Sequence, residues 1–203
     1  MWENAFNNAD VTARKGEREY KVITLVDGKR YVKANEQVIK SNDSDLWANE
    51  IIDYVNKIVR KGEDVVIPMD NEEDIVITGR TAWKLGDKGK YDNNFYFVKG
   101  NAAGVIDEIV SISKYDTTKS PKKEHSDGFG KKGFDYRTAY FEDLDGQYYR
   151  LDLSVGLNDD GKEMYNIGNI KKVGQHPAST AQRPYRTSPN NTTISQDKDG
   201  VNS

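Results

Sequence analysis

Hydrophobic positions along this chain recur with two periods, and the switches between them mark out its elements. Tyr20 to Val26 reads as a strand, Asp27-Gly28 as a tight turn, and Lys29 to Ala34 as the returning strand. The period then lengthens. Trp47, Ile51, Tyr54, Val55 and Ile58 share one face of a helix that runs to about Arg60. N-cap candidates lie in Ser41–Asp45, and Gly62 stands where a C-cap is expected. Val65–Ile67 and Asp74–Thr78 predict a second hairpin around the acidic turn Asp70–Glu73. Thr81–Asn94 reads as loop and Phe95–Val98 as a short strand. Asn101–Ser113 reads as a second helix, with Val105, Ile106, Ile109, Val110 and Ile112 on its apolar face. A long basic loop is expected over 114–133.

The clearest pattern covers residues 134–171. Three runs rich in aromatic and β-branched residues are divided by Asp145-Gly146 and by Asn158-Asp159-Asp160-Gly161. Such turns need positive φ, which glycine adopts at little cost, so the stretch predicts a three-stranded antiparallel meander. In its middle run Tyr149, Leu151, Leu153 and Val155 alternate with Tyr148, Arg150, Asp152 and Ser154. One face is apolar and the other carries groups that could build a site. The fold class expected is α+β, with two helices packed on an antiparallel sheet made of hairpins and this meander. The domain spans 18–173, with a flexible lead-in at 1–17. The Pro-, Ser-, Thr- and Asn-rich residues 174–203 are expected to be a disordered tail or linker.

Composition narrows the chemistry. Hydrophobic residues make up 35% of the 203 and charged residues 31%, which fits a domain with polar ends. The absence of cysteine excludes disulfides, thiolate nucleophiles and Cys-based zinc sites. With only His125 and His176, a His-rich metal centre is not expected, nor is any cofactor. No apolar run is long enough to span a membrane, and no ordinary secretory signal opens the chain. The opening residues read as a cut from a longer chain. Net charge is −3, yet Lys114–Arg137 holds seven Lys or Arg against four Asp or Glu. That local excess suits phosphate binding of modest affinity, and equally suits a soluble loop.

Four phrases carry a family resemblance: YVKANEQVI at 31–39, LWANEIIDYVNKIVRKGEDV at 46–65, GFDYRTAYFEDLDGQYYRLDLSVG at 133–156 and YNIGNIKK at 165–172. Together they resemble domains of large polyvalent proteins of phages and conjugative elements, grouped with the barnase/EndoU/colicin/RelE-like nuclease superfamily. The resemblance implies helical material packed on an antiparallel sheet and a metal-independent endoribonuclease. It further implies a bacterial cytoplasmic setting, delivery with phage or element DNA, other domains of a larger polyprotein, RNA as substrate, and an immunity or antitoxin protein as partner. The chain departs from the pattern at Asn35-Glu36, where Asp-Arg is common, and around His125, where the loop carries an extra residue.

Metal-free RNA cleavage needs a base for the ribose 2′-hydroxyl, an acid for the leaving 5′-oxygen, and donors for the charged transition state. His125, set among lysines in a glycine-containing loop, is the candidate proton-transfer group; its plainer alternative is a surface histidine with no task. Arg137 could stabilise phosphate, or lie on the solvated face or in a cross-strand charge pair with Asp152 or Glu142. Ser154 and Tyr165 could position the phosphate or a base, or merely satisfy local hydrogen bonds. Lys33, Lys131, Lys132, Asn166 and Lys171 are candidate nucleic-acid contacts, with solvated surface groups as the alternative. Without turnover, the same surface would be a protein- or nucleic-acid-binding module.

Overall fold

The computed structural model describes residues 14–15, 18–19, 22–24, 29–59, 63–119 and 129–174. Its elements, in chain order, are β1 (Arg14–Lys15), β2 (Arg18–Glu19), β3 (Val22–Thr24), β4 (Arg30–Lys33), α1 (Trp47–Ile58), β5 (Val65–Ile67) and β6 (Ile75–Ile77). They continue with α2 (Gly79–Gly86), α3 (Asn93–Ala103), α4 (Ile106–Ile112), β7 (Lys114–Tyr115), β8 (Gly133–Glu142), β9 (Tyr148–Asn158) and β10 (Gly161–Gly174). β1 pairs with β2 alone, inside and beside the stretch expected as lead-in. The tail from 175 onward lies outside the described residues.

The main sheet has the order β3-β4-β8-β9-β10-β6-β5, with β7 pairing β8 beside it. It is mixed rather than antiparallel. β4 runs parallel to β8 and β6 parallel to β10, while the other neighbours are antiparallel. The two early hairpins thus dock on opposite sides of the meander, each through its second strand. Both the hairpins and the meander follow the sequence pattern. Parallel docking could not be read there, because no short turn dictates how distant strands meet.

Four helices lie among the described residues, where two were expected. α1 buries Trp47, Ile51, Val55 and Ile58 along the stripe its periodicity predicts. Its N-cap is Leu46 with no side-chain cap, not a residue of Ser41–Asp45. Instead Glu50 in the first turn accepts from the amides of Lys40 and Ser41 at 3.1 Å each, where a carboxylate also suits the helix dipole. α2 and α3 replace the expected loop and short strand. Thr78, the residue after β6, accepts from the amides of Arg80 and Thr81, and the Thr81 hydroxyl accepts from the Thr78 amide, closing a capping box. Asp92 caps α3 through the Phe95 amide at 2.9 Å. The second expected helix is divided at Gly104-Val105, so its first part belongs to α3 and its second is α4.

The core lies between these helices and one face of the meander, where Leu151, Leu153, Met164 and Ile167 meet Ile51, Val55, Ile106 and Ile109. β9 alternates as its sequence predicts. β10 does not. Its register slips between Met164 and Asn166 and again between Ile167 and Asn169. Each slip is a β-bulge that inserts one residue. As a result Met164, Ile167 and Ile170 are all buried at a spacing of three, opposite Val155, Leu153 and Leu151. Hydroxyls from the helical side fill the disturbed ladder. Thr81 donates to the Met164 carbonyl at 2.7 Å, and Tyr91 to the Ile167 carbonyl at 3.1 Å.

Candidate functional site

The bulges decide what the opposite face of the meander presents. Across the three strands, Tyr136, Ser154 and Asn166 form one row. Thr138, Asp152 and Asn169 form the next, and Tyr140, Arg150 and Lys171 a third. The inserted residues, Tyr165 and Gly168, lie between rows on β10. Together these strands frame a cleft of about 200 Å³. Phe134 and Tyr136 of β8, Asp152 and Ser154 of β9, and Tyr165, Gly168 and Asn169 of β10 line it, and Lys119, after β7, closes one side. Gly168 keeps the floor open: a Cβ there would come within 3.4 Å of Ser154 Oγ.

Charges inside and beside the cleft are organised around two aspartates. Lys119 Nζ lies 2.9 Å from Asp152 Oδ2, and Arg150 Nε 3.2 Å from Asp152 Oδ1. Asn169 Nδ2 donates to Asp152 at 3.3 Å, and Arg150 Nη2 reaches Asp116 at 3.3 Å. Burial pushes the Asp152 carboxyl up, but hydrogen bonds from Lys119 and Asn169, with the charges of Lys119 and Arg150, outweigh it and hold it below the usual range. Asp116 is held low chiefly by the Thr118 hydroxyl, aided by the Thr118 amide and by Lys119 and Arg150. Depressed carboxylates are weak proton acceptors, so Asp152 is suited to aligning Lys119 and Arg150 rather than to abstracting a proton.

The aromatic wall is packed by T-shaped contacts. The Tyr165 ring lies 4.7 Å from Phe129 and 5.1 Å from Phe134. Gly130 makes this packing possible. Its φ is +60°, and a Cβ there would fall 2.5 Å from the Gly133 carbonyl oxygen and 2.6 Å from the Phe134 ring.

Of the residues singled out in the sequence, Ser154 and Tyr165 meet in the cleft and Asn166 stands in the Ser154 row. The Asn166 Oδ1 is buried and accepts no hydrogen bond among the described residues. Lys171 sits in the Arg150 row. Lys132 pairs with Asp159 at 3.1 Å, and the Lys131 amide donates to Asn158 at 3.4 Å, both beside the β9–β10 turn. Lys33 pairs with Glu142 at 3.2 Å, at the other end of the ten-residue β8. His125 lies outside the described residues.

Arg137 belongs elsewhere. It stands opposite Leu153, on the core face, and is 2% exposed. Its guanidinium bonds both oxygens of Glu72 at 2.8 and 2.9 Å and the oxygens of Ser113 at 2.7 and 2.8 Å. The expected partners Asp152 and Glu142 are therefore corrected to Glu72. Strand parity explains the change, since even-numbered residues of β8 face the cleft and Arg137 falls between Tyr136 and Thr138.

Lys119 and Asn169 line the cleft but were not among the sequence candidates, and Asp152 was named only on the polar face of β9 and as a partner for Arg137. The spacing of Met164, Ile167 and Ile170 was a signal for Asn169, because three apolar residues at intervals of three in a strand require bulges. Lys119 carried no comparable signal. Among the described residues no cluster of His, Asp and Glu is arranged to hold a metal ion, and no helix is long and apolar enough to cross a membrane. Comparison with family models, with curated proteins and with solved structures finds no match to this chain.

Proposed function

We propose that the cleft is the RNA-binding site of a metal-independent endoribonuclease-like domain of a phage or mobile-element polyvalent protein. The supporting observation is the meeting of Ser154, Tyr165, Asn169 and Lys119 on one face of the meander. Hydroxyl and amide donors beside an ammonium suit a phosphodiester, and an aromatic wall suits a base. In this reading Ser154, Asn169 and Lys119 hold the phosphate and Tyr165 donates to it or carries a base. His125 supplies proton transfer, a role that rests on the sequence alone. Arg137 has no part in the chemistry, because Glu72 and Ser113 occupy its guanidinium.

The family resemblance implies the same activity and adds a toxin-like setting with an immunity partner. A second reading is a binding module without turnover. It is favoured by the pairing of Lys119 with Asp152 and of Arg150 with Asp152 and Asp116, which leaves phosphate to compete with carboxylates.

The test is incubation of the purified full chain with a mixed RNA pool in EDTA, beside His125→Ala, Ser154→Ala and Lys119→Gln. The expected result is cleavage leaving 2′,3′-cyclic phosphate ends, reduced at least about 100-fold in His125→Ala and more mildly in the other two. Cleavage that survives in His125→Ala would remove that residue from the mechanism. No cleavage by folded wild-type protein would leave the binding module as the reading.

A further inference from the structure

α2 carries an exposed indole next to the cleft. Trp83 is 60% exposed, the most exposed of the large hydrophobic residues among those described. Burial does not explain it, because the same helix buries Thr81, Ala82 and Leu85 on its other side. Its neighbour Lys84 places Nζ 4.7 Å from the Trp83 ring centroid and 5.0 Å from that of Tyr165. One ammonium therefore bridges the exposed indole and a ring that lines the cleft. Along the same side the Arg80 guanidinium lies 3.9 Å from the Phe129 ring, and Phe129 packs on Tyr165. Aromatic rings and cations thus form one continuous row from Trp83 through Lys84, Tyr165 and Phe129 to Arg80.

The geometry points to a base-stacking subsite at Trp83, continuous with the cleft, whose ligand is single-stranded nucleic acid. This rests on the nucleic-acid reading of the cleft and specifies its substrate class. An exposed indole offers a flat, polarisable face to any base, and each such stack contributes sequence-tolerant affinity. Lys84 supplies positive charge between the Trp83 and Tyr165 rings, and Arg80, which also lies 3.6 Å from Glu163, adds charge beside Phe129, where the backbone phosphates of a stacked strand would run. Tyr165 is a rigid second platform, because Phe129 and Phe134 hold it edge-on. A duplex keeps its bases in its own stack and cannot present a face to Trp83, so the arrangement discriminates by strandedness. A loop over Thr81–Asn94, which the sequence pattern suggests, would give Trp83 no helix face beside the cleft; α2 supplies it.

The experiment uses fluorescence polarisation with the full chain, a short labelled oligodeoxyadenylate, and the same strand annealed to its complement. A deoxy strand lacks the 2′-hydroxyl and so cannot be cut by the proposed chemistry. Wild-type protein is expected to bind the strand more tightly than the duplex. Trp83→Ala should weaken strand binding about tenfold and Trp83→Phe should retain most of it. Equal affinity for strand and duplex, an unchanged Trp83→Ala affinity, or no strand binding by wild type would each overturn the subsite. Cleavage in EDTA is read separately. RNA cut by a protein whose strand binding ignores Trp83 would sink the subsite and leave the nuclease reading standing. Trp83-dependent binding without cleavage would do the reverse.

Discussion

Lys99 has its whole side chain inside the protein, and its placement carries a pH dependence. It projects from α3 and donates to the Asp87 carbonyl at 2.6 Å and toward the Lys84 carbonyl at 3.4 Å, capping the C-terminal end of α2. Two acceptors match the two hydrogens of a neutral amine. Burial lowers its pKa from 10.5 to about 8, against a smaller opposing pull from Asp87. Between those values the unfolded chain still holds a proton that the folded chain has released. Stability should therefore rise with pH from about 8, by up to about 1.4 kcal/mol per unit. Above the ordinary tyrosine value near 10 the sign changes, because burial raises Tyr96 to about 12 and raises Tyr91 as well. Urea midpoints at several pH values from about 8 to 10 should show this slope in wild type and a flatter one in Lys99→Met. Parallel slopes would assign the effect elsewhere. Nothing in the sequence distinguishes Lys99 from the other lysines, since its burial depends on how α2 and α3 meet. Arg137 was no more legible. Counting back from a two-residue Asp145-Gly146 turn would set it opposite Ser154 on the polar face, whereas the loop also takes in Leu144, which moves it opposite Leu153, and its partner Glu72 lies 65 residues away.

Among the elements, β10 shows where alternation fails and what it takes to sustain the failure. Two bulges turn a strand with a spacing of two into one that buries every third residue, and so expose Tyr165, Gly168 and Asn169 together. The carbonyls at these slips are met by Thr81 and Tyr91, so α2 and the loop before α3 brace the cleft from behind. Thr81→Val preserves shape but removes the donor to Met164 and one half of the capping box. It should cost about 1–3 kcal/mol, the penalty for a buried acceptor left unpaired. Thr81→Ser, which keeps the hydroxyl, should retain most of the stability. Urea denaturation of both variants measures this, and a loss in Thr81→Ser with none in Thr81→Val would mean that the methyl group, not the hydrogen bond, is what matters. The meander and hairpins were legible because Asp-Gly turns and β-branched runs are local signals. α2 was not, because its cap, Thr78, sits at the end of a strand pattern and its own residues begin and end with glycine.

At the scale of the whole molecule, carboxylates held low by hydrogen-bond donors and cations tie distant segments together and set the response to acid. Glu72, from the β5–β6 turn, is lowered chiefly by hydrogen bonds from Arg137 of β8, with Lys162 of β10 adding charge. Lys162 also bridges to Asp135 at 3.1 Å, so one network joins the edge hairpin to two strands of the meander. Asp152 and Asp116 do the same on the opposite face, where they join β9 to the residues that follow β7. A sequence names these charges but not their partners, and the Glu72 pairs form only once the parallel docking of β6 on β10 is set. For a carboxylate with a depressed folded pKa, the stabilisation is fully present above its ordinary value and is lost as pH falls through the folded value. Asp143 works against this trend, because burial raises its carboxyl. Glu72 has an ordinary value of 4.5. Stability should thus hold at neutral pH and fall steadily below about 4.5. Glu72→Gln removes the charge while keeping a side chain of similar size beside the buried guanidinium. It should lower stability at neutral pH by about 1–3 kcal/mol, since Arg137 is left without a charged partner. It should also make the acid limb shallower, because one linked proton is gone. Urea midpoints of the two proteins from neutral pH down to about pH 3 decide the point. Converging curves place the acid response in the Glu72–Arg137 pair, and curves that stay parallel place it in the aspartates around the cleft.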